Sequence, residues 1–237
     1  MTAPIFFAMR EISPPTIREF DRCAFAGMPP PPFPSGYTRA MQTEDANMGP
    51  AQRCPRCDRP LGSRNWLPPF RVEIETWSTC FGDMMFMSNH PLLMSEKFRW
   101  LYEENGLQGP RDFQEVEVAK VIKHRRFRGN PPKYFKLTIL RDKVRIDQQK
   151  SEFEWKTDAP VCPYCLWPPG GATLKSYKRL VIEEGSWNGN DIFKAHGSPE
   201  SFLVTERFKN VCESNALKNI EFHPLETCQS AKRPWLY

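Results

Sequence analysis

A segment opening with Cys54-Pro-Arg-Cys57 recurs behind Cys162-Pro-Tyr-Cys165, and this internal repeat constrains the fold more than any other feature of the chain. Cys54 and Cys162, Arg71 and Arg179, Ile74 and Ile182, Glu75 and Glu183, and Asp83 and Asp191 stand at one common offset. After a two-residue shift, Ser95-Glu96-Lys97-Phe98 meets Thr205-Glu206-Arg207-Phe208, with Glu103, Asn105 and Leu107 opposite Glu213, Asn215 and Leu217. A one-residue slip then aligns Phe113 with Phe222. Two copies of one supersecondary unit explain this register. Each opens with a cysteine knuckle that cannot complete a metal site alone, so each half is built to need the other.

Two residues between cysteines put both thiolates on one side of a tight turn, and two such knuckles supply the four sulfurs that zinc prefers. The expected ligands are Cys54, Cys57, Cys162 and Cys165, holding one structural Zn2+ that staples the halves together. The knuckles lie much farther apart than the 15 to 20 or so residues of a compact ribbon. A redox-active dithiol in each knuckle is the competing reading. Cys212 takes the place of Tyr102 in the other unit and reads as a small core residue. Cys23, Cys80 and Cys228 have no spaced partner, and His90, His124, His196 and His223 form no metal-binding pattern. No nucleophile elbow, phosphate loop or dinucleotide fingerprint is present. Gly170-Gly171 after Pro168-Pro169 reads as a turn.

The 237 residues, 40% hydrophobic and 26% charged, are those of a globular protein. Without a basic leader or an apolar stretch of spanning length, the expectation is a cytoplasmic protein, no membrane segment, and cysteines used for metal rather than disulfides. The net charge of +5 is too small to indicate nucleic acid. The densest basic run, Lys120 to Arg128, reads as a solvated turn or edge strand.

Ser95 and Thr205 stand where helix N-caps belong, ahead of Phe98, Leu101 and Tyr102 or Phe208, Val211 and Cys212 at helical spacing. This predicts helices near 95–106 and 205–216. Gly106 ends the first, and Asn215 must supply the left-handed end of the second or let it continue briefly. Arg71–Glu75, Lys143–Asp147 and Phe135–Ile139 alternate as half-buried strands, with a hairpin turning near Arg141-Asp142. Met85–Met87, Leu92–Met94 and Phe202–Val204 read as short buried strands, and Phe113 and Phe222 mark the last strand of each unit. Ile17 to Asp21 suggests a short helix, cut off by the Pro-rich arm from Pro29 to Gly36. The fold class is α+β: two pseudo-symmetric βα-containing repeats joined by a shared four-cysteine site. Residues 1–53 form a strand, helix and arm, 54–150 the first unit with its hairpin, and 151–237 the second, together one composite domain.

The twin knuckles, Phe6-Phe7-Ala8-Met9-Arg10 near the start, Thr205-Glu206-Arg207-Phe208, and Leu217 to Phe222 resemble the double-CxxCG proteins. That family is known from myxobacterial toxin systems as immunity proteins. It usually has Gly after the second cysteine of each knuckle, where this chain has Asp58 and Leu166. The resemblance implies a non-enzymatic partner of a cognate antibacterial toxin, inhibiting it by occluding its active site. The mild positive charge suits an acidic or NAD-utilising toxin better than a basic nuclease. Loops carry such contacts, and aromatics and arginines anchor them. The candidates are Phe33 and Tyr37 in the arm, Arg125 and Arg126 in the basic run, and Trp187. The alternative is a zinc-ribbon nucleic-acid binder using Lys120 to Arg128 with Tyr134 and Phe135. A zinc enzyme is disfavoured, because four thiolates leave no position for water.

Overall fold

A computed structural model describes residues 4–12, 33–87, 91–124, 128–170 and 173–229. The short helix at Ile17–Asp21, Pro29 to Pro32, Cys23, His90, Arg125, Arg126 and Gly171 lie outside the described residues. In chain order the first strands are β1 (Phe6–Arg10), β2 (Thr38–Gln42), β3 (Met48–Arg53), β4 (Pro60–Trp66), β5 (Arg71–Thr76), β6 (Met84–Phe86) and β7 (Leu92–Ser95). Helix α1 (Glu96–Glu104) leads to β8 (Phe113–Lys123), β9 (Tyr134–Leu137), β10 (Arg141–Arg145), β11 (Glu154–Trp155) and β12 (Leu174–Ser176). The last elements are β13 (Ile192–His196), β14 (Phe202–Thr205), α2 (Glu206–Ser214) and β15 (Glu221–Pro224).

One sheet runs β2-β5-β8-β9-β7-β6 and the other β10-β13-β14-β1-β15, while β3–β4 and β11–β12 are two-stranded ribbons. The alternation in β5 is real: its six residues are alternately half-buried and buried, with Val72 and Ile74 fully inside. β8 is an interior strand that pairs with β9 through Phe113–Val116 and in parallel with β5 farther along. Lys120 and Lys123 therefore occupy its far end, where β5 is the partner.

The hairpin expected near Arg141-Asp142 does not form. β9 lies between β8 and β7 in the six-stranded sheet, whereas β10 crosses to the other sheet and runs parallel to β13. All four residues of β9 are buried, including Lys136, so its apparent polar alternation did not mark a solvent face. β1 fills the corresponding slot between β14 and β15, far from them in sequence. β9 is the last strand of its sheet in chain order, whereas β1 precedes the rest of its sheet by a long stretch of chain.

The helices begin where their caps require. Ser95 Oγ accepts from Phe98 N at 3.2 Å and donates to Asp83 Oδ1 at 2.8 Å, and Thr205 Oγ1 accepts from Phe208 N at 3.3 Å and donates to Asp191 Oδ1 at 2.6 Å. The second oxygen of Asp83 accepts from Lys218 N at 2.9 Å, and that of Asp191 from Gln108 N at 2.7 Å. Each aspartate therefore ties one helix cap to the backbone that follows the other helix. Gly106 ends α1 with φ of 57°, but at α2 the left-handed residue is Ala216, at φ of 49°, and not Asn215, at φ of −100°. Asn215 instead caps with its side chain, donating Nδ2 to Val211 O at 2.9 Å, as Asn105 does to Leu101 O at 2.8 Å.

Phe98 and Phe208 are both fully buried and meet edge to face at 5.6 Å in one core cluster with Met9, Leu92, Tyr102 and Cys212. That cluster draws on both helices and on β1. Two further clusters fill the sheets separately, one around Ile74, Leu93 and Tyr134, the other around Val144, Phe193 and Leu203.

Candidate metal centre

The two knuckles fold as the same turn. Asp58 N donates to Cys54 O at 3.0 Å and Leu166 N to Cys162 O at 2.9 Å, while Cys54 N donates to Arg59 O at 2.8 Å and Cys162 N to Trp167 O at 3.0 Å. Closing this turn requires left-handed backbone after the second cysteine. Asp58 at φ of 57° and Leu166 at φ of 60° supply it without glycine.

The turns converge at the end of the β3–β4 ribbon. The sulfurs of Cys54, Cys57, Cys162 and Cys165 all lie within 4.8 Å of one another, a group that could hold a metal ion. Sγ of Cys54 is 3.8 Å from that of Cys162, and Sγ of Cys57 is 3.7 Å from that of Cys165. These gaps are far longer than the roughly 2.05 Å of a disulfide, and all four are free thiols. Cys54, Cys162 and Cys165 are buried and Cys57 is half-buried, with Leu61 and Trp167 packed around them.

Local electrostatics differ between the thiols. Against the burial that would raise it, hydrogen bonds from the backbone of Cys165 and Tyr164 hold the Cys162 thiol down to about 7. Burial pushes the Cys165 thiol up to about 12. One arginine binds the two turns together, and another ties the second turn to β10. The Arg59 guanidinium lies 4.7 Å over the Trp167 ring and donates to Pro168 O at 3.0 Å, joining the first knuckle to the second. Arg145 Nη2 donates to Pro163 O at 3.1 Å. Arg59 and Trp167 went unnoticed as site residues in the sequence, although they occupy the same position after the second cysteine of each knuckle and the repeat register pairs them.

The surface candidates fall into two groups. Phe33 stacks on Tyr37 at 5.3 Å and on Trp77 at 5.5 Å, and Trp77 stacks on His124 at 4.7 Å with the planes 6° apart. This aromatic ladder connects the arm to the residue immediately before Arg125 and Arg126, which lie outside the described residues. Tyr37 is buried within it and Phe33 is half-buried. The basic run is partly neutralised: His124 Nε2 lies 2.6 Å from Glu75 and Lys120 Nζ 3.9 Å from Glu73. Trp187 is half-buried, edge-on to Phe6 at 5.4 Å, with Nε1 donating to Asn190 O at 3.0 Å. Two exposed aromatics were not anticipated, Trp100 on α1 and Tyr164 in the second knuckle. Trp100 follows the helical phase of Phe98 and Leu101, whose turn toward the core leaves it outward.

A protein-family model described as Immunity protein family (Imm11) matches residues 70–227, from the residue before β5 through β15 and including the second knuckle. No curated protein matches the chain.

Proposed function

The chain belongs to the Imm11 immunity protein family, and on that premise we propose that it protects its own cell by binding a cognate toxin enzyme and covering the active site, with no turnover of its own. The family match over residues 70–227 carries this reading. The toxin would be an acidic or NAD-utilising enzyme met in the cytoplasm, since complementary charge favours association with a chain of net charge +5. No described helix is long and apolar enough to cross a membrane. A stable complex needs an interface of at least about 1,000 Å². The outer part of the ladder, Phe33, Trp77 and His124 with Tyr37 buried behind them, leading toward Arg125 and Arg126, is the first surface to examine, and Trp187 the second.

The metal in this reading is one structural zinc on Cys54, Cys57, Cys162 and Cys165. A tetrahedron with zinc–sulfur bonds of about 2.3 Å sets sulfurs about 3.8 Å apart, and the two gaps of 3.8 and 3.7 Å support it. Four thiolates fill that coordination shell, so the ion would hold the two units together and leave no position for a reacting water. On the same reading the units are pseudo-symmetric copies within one composite domain, a view that the paired cap and knuckle hydrogen bonds support.

Two experiments test the proposal. Expressing the neighbouring toxin gene with and without this protein in a sensitive cell should show survival only with it, and the two purified proteins should associate. Unchanged killing and no association would reject the immunity reading and bring the nucleic-acid alternative forward. Metal analysis of protein purified under reducing conditions should find one zinc per chain, lost together with stability in Cys57→Ser. Zinc-free protein that is as stable as the loaded form would remove the metal from the account.

A further inference from the structure

A cavity of about 610 Å³ lies where the β3–β4 ribbon, β9 and the β10–β13 pair meet, and none of the four cysteines is among its lining residues, although Leu61 of its wall packs on them. Its size falls within the roughly 300 to 1,000 Å³ range of small-ligand sites. Four cationic side chains line it, Arg64, Lys136, Arg141 and Lys194, against one carboxylate, Asp112. Among the described residues no carboxylate lies within ion-pair distance of Lys136, Arg141 or Lys194.

The placement of these cations is costly. Arg141 and Lys194 are register partners on β10 and β13, and like charges directly opposite each other destabilise a sheet. Lys136 is 5% exposed, with Nζ donating to Trp66 O at 3.2 Å and Gln114 Oε1 at 2.9 Å and lying 4.2 Å over the Phe70 ring. Arg141 Nε donates to Leu61 O at 2.8 Å, and its Nη1 donates to Ala195 O. Lys194 Nζ lies 4.8 Å over the Phe202 ring, and no hydrogen-bond acceptor is in reach among the described residues. Burial, with Arg141 as a second cause, pushes the Lys194 ammonium down to about 8. The Nε1 of Trp66, another wall residue, is buried with no hydrogen-bond partner among the described residues. Among the described residues the hydrogen-bond partners of Lys136 and Arg141 are neutral, and the one carboxylate of the wall, Asp112, acts on Lys136 from beyond ion-pair distance, so burying these three cations costs the fold more than it returns.

We propose that this cavity binds an oxyanion, a carboxylate or phosphate group on a small ligand, with Lys194 as its main partner and Arg141 and Lys136 flanking it. An anion there relieves the repulsion between Arg141 and Lys194 and gives the Lys194 ammonium the acceptor it lacks. The inference stands apart from the immunity reading, because it can be tested on this protein alone.

The experiment titrates the purified wild-type protein with pyrophosphate and with citrate at low salt, following heat and melting temperature. At least one should bind at or below about 1 mM and raise the melting temperature. Lys194→Met keeps the aliphatic stem over Phe202 and removes the charge beside Arg141. It should fold, melt no lower than wild type in anion-free buffer, and bind the anion at least about tenfold more weakly. Lys194→Arg should retain binding, and the remote surface change Lys175→Met should leave it unaltered. Whichever probe binds identifies the group as phosphate or carboxylate. Absence of binding by both probes, or binding that is the same in Lys194→Met, would overturn the proposal.

Discussion

Asp58 and Leu166 hold a backbone region that costs a residue with a side chain roughly 1 to 2 kcal/mol, at φ of 57° and 60°. The sequence marks both as departures from the glycine of the family they resemble, and the structure shows the turn kept in spite of them. Asp58→Gly should therefore stabilise the protein by about 1 kcal/mol in urea denaturation. Its ion pair with Arg53 is exposed on both sides and offsets little of this. Leu166→Gly should gain less, because Leu166 packs on Gly197, where an added Cβ would meet Leu166 Cβ at 2.9 Å. A destabilised Asp58→Gly would show that the aspartate side chain matters more than the backbone. Glu11 is a different kind of residue effect. Burial pushes its carboxyl from an ordinary 4.5 up to about 7, although Asn219 Nδ2 donates to it at 3.2 Å. The folded state then keeps a proton that the unfolded chain releases, so this contribution is fully present below the unfolded value and is lost as pH rises through about 7. Between about pH 5 and pH 8, Glu11→Gln should lose less stability than wild type. Parallel loss in both proteins would count against it. Nothing in the sequence around Glu11 announces this shift, because its cause is burial beneath distant residues.

At the scale of elements, both helices were legible because their signals are local. A hydroxyl at the N-cap, a glutamate after it and apolar residues at helical spacing lie within one short stretch of chain. Asp83 and Asp191 carry the repeat offset, yet their work could not be read from it, since each joins a cap to backbone of the other unit. Thr205→Ala should cost about 1 kcal/mol, the usual loss of a cap. Asp191→Ala should cost more, about 3 kcal/mol, because it strands the buried Thr205 hydroxyl and also removes the acceptor of the Gln108 N–H and of Arg207. Equal costs in chemical denaturation would mean that the link between units adds nothing. The missed hairpin has the opposite origin: β9 and β10 are neighbours in sequence with good strand patterns, but pairing depends on which sheet has an open slot. The left-handed end of α2 moved from Asn215 to Ala216 because Asn215 spends its side chain on Val211 O.

For the molecule as a whole, one core cluster takes side chains from both units, and the four thiols bring the same units together at a second point. The protein should therefore unfold as one cooperative body. Phe208→Ala, cutting the 5.6 Å contact with Phe98, should cost about 3 to 5 kcal/mol and lower a single transition seen by both fluorescence and circular dichroism. Two separated transitions would show that the units stand alone. By itself the sequence determined the repeat, the two capped helices, the buried phenylalanines and the four cysteines that come together, all of them readable from short-range patterns or from comparing one stretch of the chain with another. Only the tertiary structure decided that β1 and β9 complete the sheets, that Asp83 and Asp191 bridge the units, and that Lys136, Arg141 and Lys194 share one cavity. Those arrangements depend on contacts between residues far apart in the chain, where the competition for open sheet edges and buried volume is settled by packing and no local pattern records the outcome.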